Sequence, residues 1–90
     1  MWYVYLALCG DGTYYTGIAK DLSRRIDEHN NSESRGARYT RSRRPVKLVY
    51  CEKTESRSKA MARETEIKKM DRKRKKLLAD AGCLNREGAV

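Results

Sequence analysis

Five polar side chains stand on surfaces that the sequence pattern makes apolar: Tyr5, Tyr15, Arg25, His29 and Glu64. Phenols and imidazoles pass protons, guanidinium groups hold anions, and a carboxylate takes a cation or a metal. Each residue also has an ordinary structural reading. Tyrosines pack on strands, a lone histidine on an apolar helix face is commonly a satisfied core residue, and Glu64 with Arg25 could be the halves of an ion pair. What favours chemistry is their coincidence in 90 residues that carry a net charge of +9. That excess of cations favours an anionic partner, and nucleic acid is the commonest one.

The elements that must position these groups can be read from the pattern. Trp2 to Leu8 is aromatic and β-branched enough for a strand, with Trp2, Val4, Leu6 and Leu8 on one face and Tyr3, Tyr5 and Ala7 on the other. Gly10-Asp11-Gly12 is a hairpin turn, and Tyr14 to Ile18 returns as the second strand. Turn length decides whether the two tyrosines meet. A two-residue loop pairs Leu8 with Tyr15 and puts Tyr5 and Tyr15 on opposite faces. A three-residue loop with Gly12 in the left-handed region pairs Ala7 with Tyr15 and Tyr5 with Gly17, and the Gly-Asp-Gly triplet suits it. Gly17 then lies across from Tyr5, where a missing side chain leaves room for a ligand.

Asp21 suits the N-cap of a first helix over 22–30. Leu22, Ile26 and His29 mark its buried stripe, Arg25 flanks that face one turn before His29, and Arg24 points to solvent. Residues 30–44 read as a polar loop that allows a helical turn near Ala37. Pro45 closes it, and Val46 to Glu52 forms a third strand with Val46, Leu48 and Tyr50 alternating against Lys47 and Val49. Thr54 caps a second long helix over 55–70, whose apolar stripe is Ala60, Met61 and Ile67 with Glu64 in its middle. A carboxylate there must be paired, hydrogen-bonded or bound to metal. Asp71 caps a third helix that runs to Ala81 and stops at Gly82. The domain is expected over 1–82, with 83–90 fraying as a tail.

Hydrophobic residues make up 39% of the chain, with no phenylalanine, so tyrosine, leucine, valine, alanine and Trp2 must fill a small core. Cys9, Cys51 and Cys83 stand far apart, without the close pairs of a zinc site or the even count of a disulfide framework. They read as reduced thiols of a cytoplasmic protein. No secretory leader and no membrane-spanning run is evident.

The ordered series is specific. Tyr3-Val4-Tyr5, Tyr15-Thr16-Gly17, Arg25, His29 and the distal Arg63-Glu64-x-x-Ile67-Lys68 resemble the GIY-YIG nuclease superfamily. The small single-domain bacterial members are nearest, and they share the stretches Gly36-Ala37-Arg38-Tyr39-Thr40 and Arg43-Arg44-Pro45-Val46. The likeness runs from about Trp2 to Ala79. Tyr3 stands where the name-giving glycine would be, and Thr16 lies inside the second triplet; neither change removes a reactive group. The resemblance implies an α/β domain of the α+β type: a three-stranded antiparallel sheet flanked by helices, in the order strand, strand, helix, strand, helix, helix. It further implies that Tyr5 and Tyr15 are the motif tyrosines, Gly17 the motif glycine, Arg25 the catalytic arginine, His29 an assisting residue and Glu64 the ligand of one Mg²⁺ or Mn²⁺.

Hydrolysis of a phosphodiester needs water placed in line with the leaving oxygen and cations placed against the charge that develops. Arg25 suits a phosphate fork. Tyr5, with its pKa lowered by Arg25 and the metal, or else His29, would take the proton from water; Tyr15 would orient water or a phosphate. Arg35, Arg38, Arg41, Arg43 and Arg44, with Lys68 and the lysine-rich third helix, would grip phosphates without reading sequence, and Tyr39 would stack on a base or anchor the loop. The implied partner is nucleic acid, DNA in preference to RNA. The competing readings are a non-catalytic nucleic-acid-binding module on the same fold and a basic adaptor for an acidic protein.

Overall fold

The computed structural model describes residues 1–32 and 34–83. Three strands, β1 (Trp2–Leu8), β2 (Tyr14–Ala19) and β3 (Lys47–Thr54), form an antiparallel sheet in the order β2-β1-β3. Helix α1 (Leu22–Asn31) follows β2, the short α2 (Arg38–Arg41) precedes β3, and α3 (Arg57–Lys68) and α4 (Arg72–Ala81) close the chain. The one element beyond the expected order is α2, the helical turn that the 30–44 loop allowed. The expected fraying of 83–90 falls outside the described residues, apart from Cys83.

The hairpin takes the longer turn. Ala7 pairs with Tyr15 and Tyr5 with Gly17. Cys9 N donates to Thr13 O at 2.8 Å, which leaves three residues in the loop, and Gly12 sits at φ +86°. A side chain is strained at that φ, so glycine makes this turn cheap. The consequence reaches the site directly, because one residue more or fewer would send Tyr15 to the other face.

Because β1 is central, both its faces are covered. Tyr5, Ala7, Cys9, Ala19, Val46 and Cys51 form one core, against which Leu22 and Ile26 of α1 pack. Val4, Leu6, Tyr50, Ala60 and Ile67 form the other, under α3 and α4. The third strand does not alternate as expected. Val46 and Leu48 belong to the first core but Tyr50 to the second, because a bulge shifts the register of β3 where Ala7 pairs with Leu48 and Leu6 with Tyr50.

Capping follows local chemistry with one difference. Asp21 Oδ1 accepts from Arg24 N at 3.0 Å and Asp71 Oδ1 from Arg74 N at 2.9 Å, as the sequence predicts. On α3 the cap is Ser56, whose Oγ accepts from Lys59 N at 3.2 Å. Thr54 is still in β3, and its hydroxyl donates to Trp2 O at 3.0 Å across the strand pair.

The thiol expectation is corrected in part. Cys51 on β3 and Cys83 beyond α4 form a disulfide, and Cys9 is the free, buried cysteine among the described residues. The fold brings 51 and 83 together over a separation that no sequence spacing reveals.

Candidate active site

The sheet face opposite α3 carries the first cluster. Tyr5 is 1% exposed, its ring laid over Gly17. A Cβ at Gly17 would stand 2.6 Å from Tyr5 Oη and 2.7 Å from Cζ. The space expected for a ligand is therefore filled by Tyr5 itself, and glycine is required so that the phenol can lie across β2. His29 reaches over from α1, fully buried, with Nε2 2.7 Å from Tyr5 Oη. Tyr15 completes the group, its ring centroid 5.1 Å from that of His29 and 6.3 Å from that of Tyr5.

Thr40 on α2 determines how His29 is protonated. Its hydroxyl donates its single proton to Ala37 O at 2.9 Å. The 2.9 Å contact between Thr40 Oγ1 and His29 Nδ1 must then be a bond that Nδ1–H donates. Ala37 N–H also donates toward Nδ1 at 3.4 Å, a bond that suits the opposite tautomer, but it is the longer and weaker of the two contacts. This network assigns the proton to Nδ1 and leaves Nε2 as the acceptor of the Tyr5 hydroxyl. Burial, and then the positive charge of Arg25, depress the His29 pKa to about 4, so the imidazole is neutral near pH 7.

Burial also pushes the Tyr5 phenol well above its ordinary value, reinforced by Tyr15 and Glu64 and only partly opposed by Arg25. The expected lowering by Arg25 is real in sign but smaller than desolvation. Tyr5 in the free protein is a neutral hydroxyl.

Arg25 is half-buried and held in place. Its Nη1 donates to Glu28 Oε1 at 3.0 Å and to Arg35 O at 2.6 Å. Burial works against its charge, but Glu28 and the two tyrosines outweigh that and raise its pKa. Arg24 projects into solvent, with 65% of its side chain exposed, as the helical spacing predicts.

Glu64 does not sit in the middle of a buried stripe. Ala60 and Ile67 are buried, Met61 is exposed, and the Glu64 side chain is 21% exposed with its Oε2 3.5 Å from Lys68 Nζ. With Ala60 and Ile67 as its buried residues, α3 turns Arg63 toward the sheet, where its Nε donates to Glu52 Oε2 on β3 at 2.8 Å. That same carboxylate accepts from the Tyr50 hydroxyl. One residue along the helix, Glu64 is turned to the flank of that contact, and its charge is felt at Tyr5.

Among the described residues no three acidic, histidine or cysteine groups converge. A divalent metal would rest on Glu64 as its single protein carboxylate. The partly exposed oxygen fits that use, since Mg²⁺ commonly takes one or two carboxylates, several waters and substrate phosphates.

The basic residues divide. Arg35, Arg38 and Arg41 are exposed, and Lys68 is 58% exposed. Arg44 is not a surface grip. Its Nε donates to His29 O and its Nη2 to Ser32 O, each at 2.6 Å, so it closes the carbonyl end of α1. Arg43 is likewise engaged, 3.0 Å from Asp11 Oδ2, donating to Tyr39 O, and stacked 3.9 Å from the Tyr39 ring centroid. Tyr39 also stacks on Tyr15, centroids 6.0 Å apart. Of its two expected uses, the anchoring one matches these contacts. Two residues escaped the sequence reading. Glu28 could have been found as the i, i+3 partner of Arg25; Thr40 had no signal, because its partner lies eleven residues away across a loop.

Comparison with known proteins supports the same frame. The GIY-YIG catalytic domain matches residues 1–77. The UPF0213 protein DP2720 of Desulfotalea psychrophila is 55% identical over 80 residues, 89% of this chain and 72% of that protein. UPF0213 protein SSP2268 of Staphylococcus saprophyticus is 49% identical over 80 residues, 89% of this chain and 95% of that protein. The solution structure of the UPF0213 protein BH0048 of Bacillus halodurans superposes with a TM-score of 0.55 at 40% identity, covering 90% of this chain and 85% of that one. That of EF2693 from E. faecalis gives 0.57 at 41% identity, covering 88% and 82%. The chain belongs to the GIY-YIG family, a nuclease-type family, as a relative of the UPF0213 proteins.

Proposed function

We propose that the chain is a metal-dependent endonuclease that hydrolyses phosphodiester bonds in nucleic acid, DNA in preference to RNA, with little sequence specificity and in the cytoplasm. The observation that carries this reading is the buried 2.7 Å contact between Tyr5 Oη and a neutral His29 Nε2, beside Tyr15 and Arg25.

His29 is fully buried and Tyr5 is 1% exposed, so neither meets bulk water in the free protein, and the relay requires a local opening that brings the attacking water to the Tyr5 hydroxyl when substrate binds. Tyr5 takes the proton of the attacking water while passing its own to His29 Nε2. Arg25 holds the phosphate. An anion on Arg25 also offsets the cation that, after burial, most depresses His29, so substrate makes the imidazole a better acceptor at the moment it is needed. Tyr15 orients the water or a non-bridging oxygen. Glu64 would hold a divalent cation, which would supply charge stabilisation for the phosphoryl and leaving oxygens. Arg35, Arg38, Arg41 and Lys68 hold flanking phosphates, and contacts of that kind carry no sequence information.

The test is cleavage of supercoiled plasmid, single-stranded DNA and RNA with Mg²⁺ or Mn²⁺. Tyr5→Phe, Arg25→Ala and Glu64→Gln should each lower the rate by about 10²-fold or more. Cleavage that survives all three would overturn the reading. The non-catalytic binding module keeps one supporting observation, the Lys68–Glu64 ion pair, which neutralises the carboxylate without any metal. Salt-sensitive binding with no turnover in either metal, unchanged by Glu64→Gln, would select it.

A further inference from the structure

Beside this cluster, at the outer edge of β2, lies a cleft of about 210 Å³ lined by Tyr14, Tyr15, Thr16, Tyr39, Lys68 and Lys75. That is roughly seven water volumes, room for a partly hydrated phosphate. We propose that this cleft is a phosphate subsite, which takes the phosphodiester next to the scissile one. The inference deepens the nuclease reading and rests on it.

Position is the first argument. One wall is Tyr15, in ring contact with His29. Another is Lys68, the ion-pair partner of Glu64. The cleft therefore touches both halves of the candidate site, and a strand whose backbone crosses that site must pass it.

Charge is the second. The two lysines come from different helices, α3 and α4, and face one small space. Lys75 is half-buried, whereas Lys73 and Lys76 on the same helix are exposed. Lys76 has Asp80 at 3.3 Å, but Lys75 has no ion pair among the described residues. Two ammonium groups beside tyrosine rings repel each other, and an anion between them relieves that repulsion. Lys68 is neutralised by Glu64 only while the carboxylate has no other cation. A divalent ion held by Glu64 would replace Lys68 as its counter-charge and would leave the Lys68 ammonium to the cleft.

The ligand is a phosphate rather than a base. Tyr39, the ring best exposed for stacking, already carries Tyr15 and the Arg43 guanidinium. It serves as a fixed wall. Thr16 completes the lining, with its hydroxyl oxygen buried behind the cleft surface.

The test uses the full chain carrying Tyr5→Phe, to stop turnover, and a fluorescein-labelled oligodeoxynucleotide. Anisotropy is followed across a salt series with Mn²⁺ present. Lys75→Gln should weaken binding about three- to tenfold and reduce the salt slope by about one. Lys73→Gln removes the same charge from the same helix outside the cleft and should weaken it by less than about twofold. Equal effects of the two variants, or no effect of Lys75→Gln, would overturn the subsite while leaving the nuclease reading intact. Failure of the unsubstituted chain to bind or cleave any nucleic acid would sink both.

Discussion

One proton separates Tyr5 Oη from His29 Nε2, and Thr40 decides which side it rests on. Without the Thr40 oxygen, Nδ1 loses its acceptor at 2.9 Å and the imidazole is free to put its proton on Nε2, which then cannot receive the Tyr5 proton. We expect Thr40→Val to lower kcat about tenfold or more with KM nearly unchanged, and Thr40→Ser to restore it. Nitrogen-15 chemical shifts of His29 check the cause: the wild-type and serine forms should show Nδ1 protonated and the valine form a mixture. A valine variant with unaltered tautomer and rate would remove Thr40 from the mechanism.

At the level of elements, the site depends on a strand pair that has no room for another atom. Gly17→Ala places a Cβ against Tyr5 Oη, and either the ring or β2 must move. The expected cost is about 1–3 kcal/mol, read from urea midpoints, together with loss of most activity as Tyr5 leaves His29. An alanine variant of full activity would mean that the phenol need not lie there. The helix that carries Glu64 starts at Ser56 rather than Thr54. Ser56→Ala should therefore cost about 1 kcal/mol in the same measurement, since it strips the acceptor from Lys59 N. Thr54 has a different task, fastening the end of β3 to Trp2.

For the molecule as a whole, the buried imidazole writes a pH dependence into stability. His29 has a folded pKa of about 4 against an ordinary 6.5, so between those values the unfolded chain holds more protons than the folded one. Its contribution is complete above pH 6.5 and is lost progressively as pH falls toward 4. The loss is up to about 3 kcal/mol, and it should appear as a falling urea midpoint across that window. Stability flat from pH 7 to 4.5 would contradict the burial of a neutral His29. Binding to nucleic acid should fall with salt, because a net +9 acts through phosphate contacts.

Much of this was legible in the order of residues. The turn triplet alone distinguished a hairpin that unites Tyr5 with Tyr15 from one that parts them. Helical spacing alone separated Arg25 from Arg24. Periodicity and turn chemistry are local, and they act within a few residues of the groups they place. Four other matters depended on segments meeting in space. The β3 bulge moved Tyr50 to the opposite core. Arg43 and Arg44, two of the five loop arginines, turned inward to Asp11, Tyr39 and the end of α1. Cys51 met Cys83, and Thr40 met His29. None of these pairs shares a period or a motif, because each is set by how the loop and the helices pack on the sheet. For the same reason, desolvation rather than Arg25 governs Tyr5: the depth of a side chain is a property of what covers it.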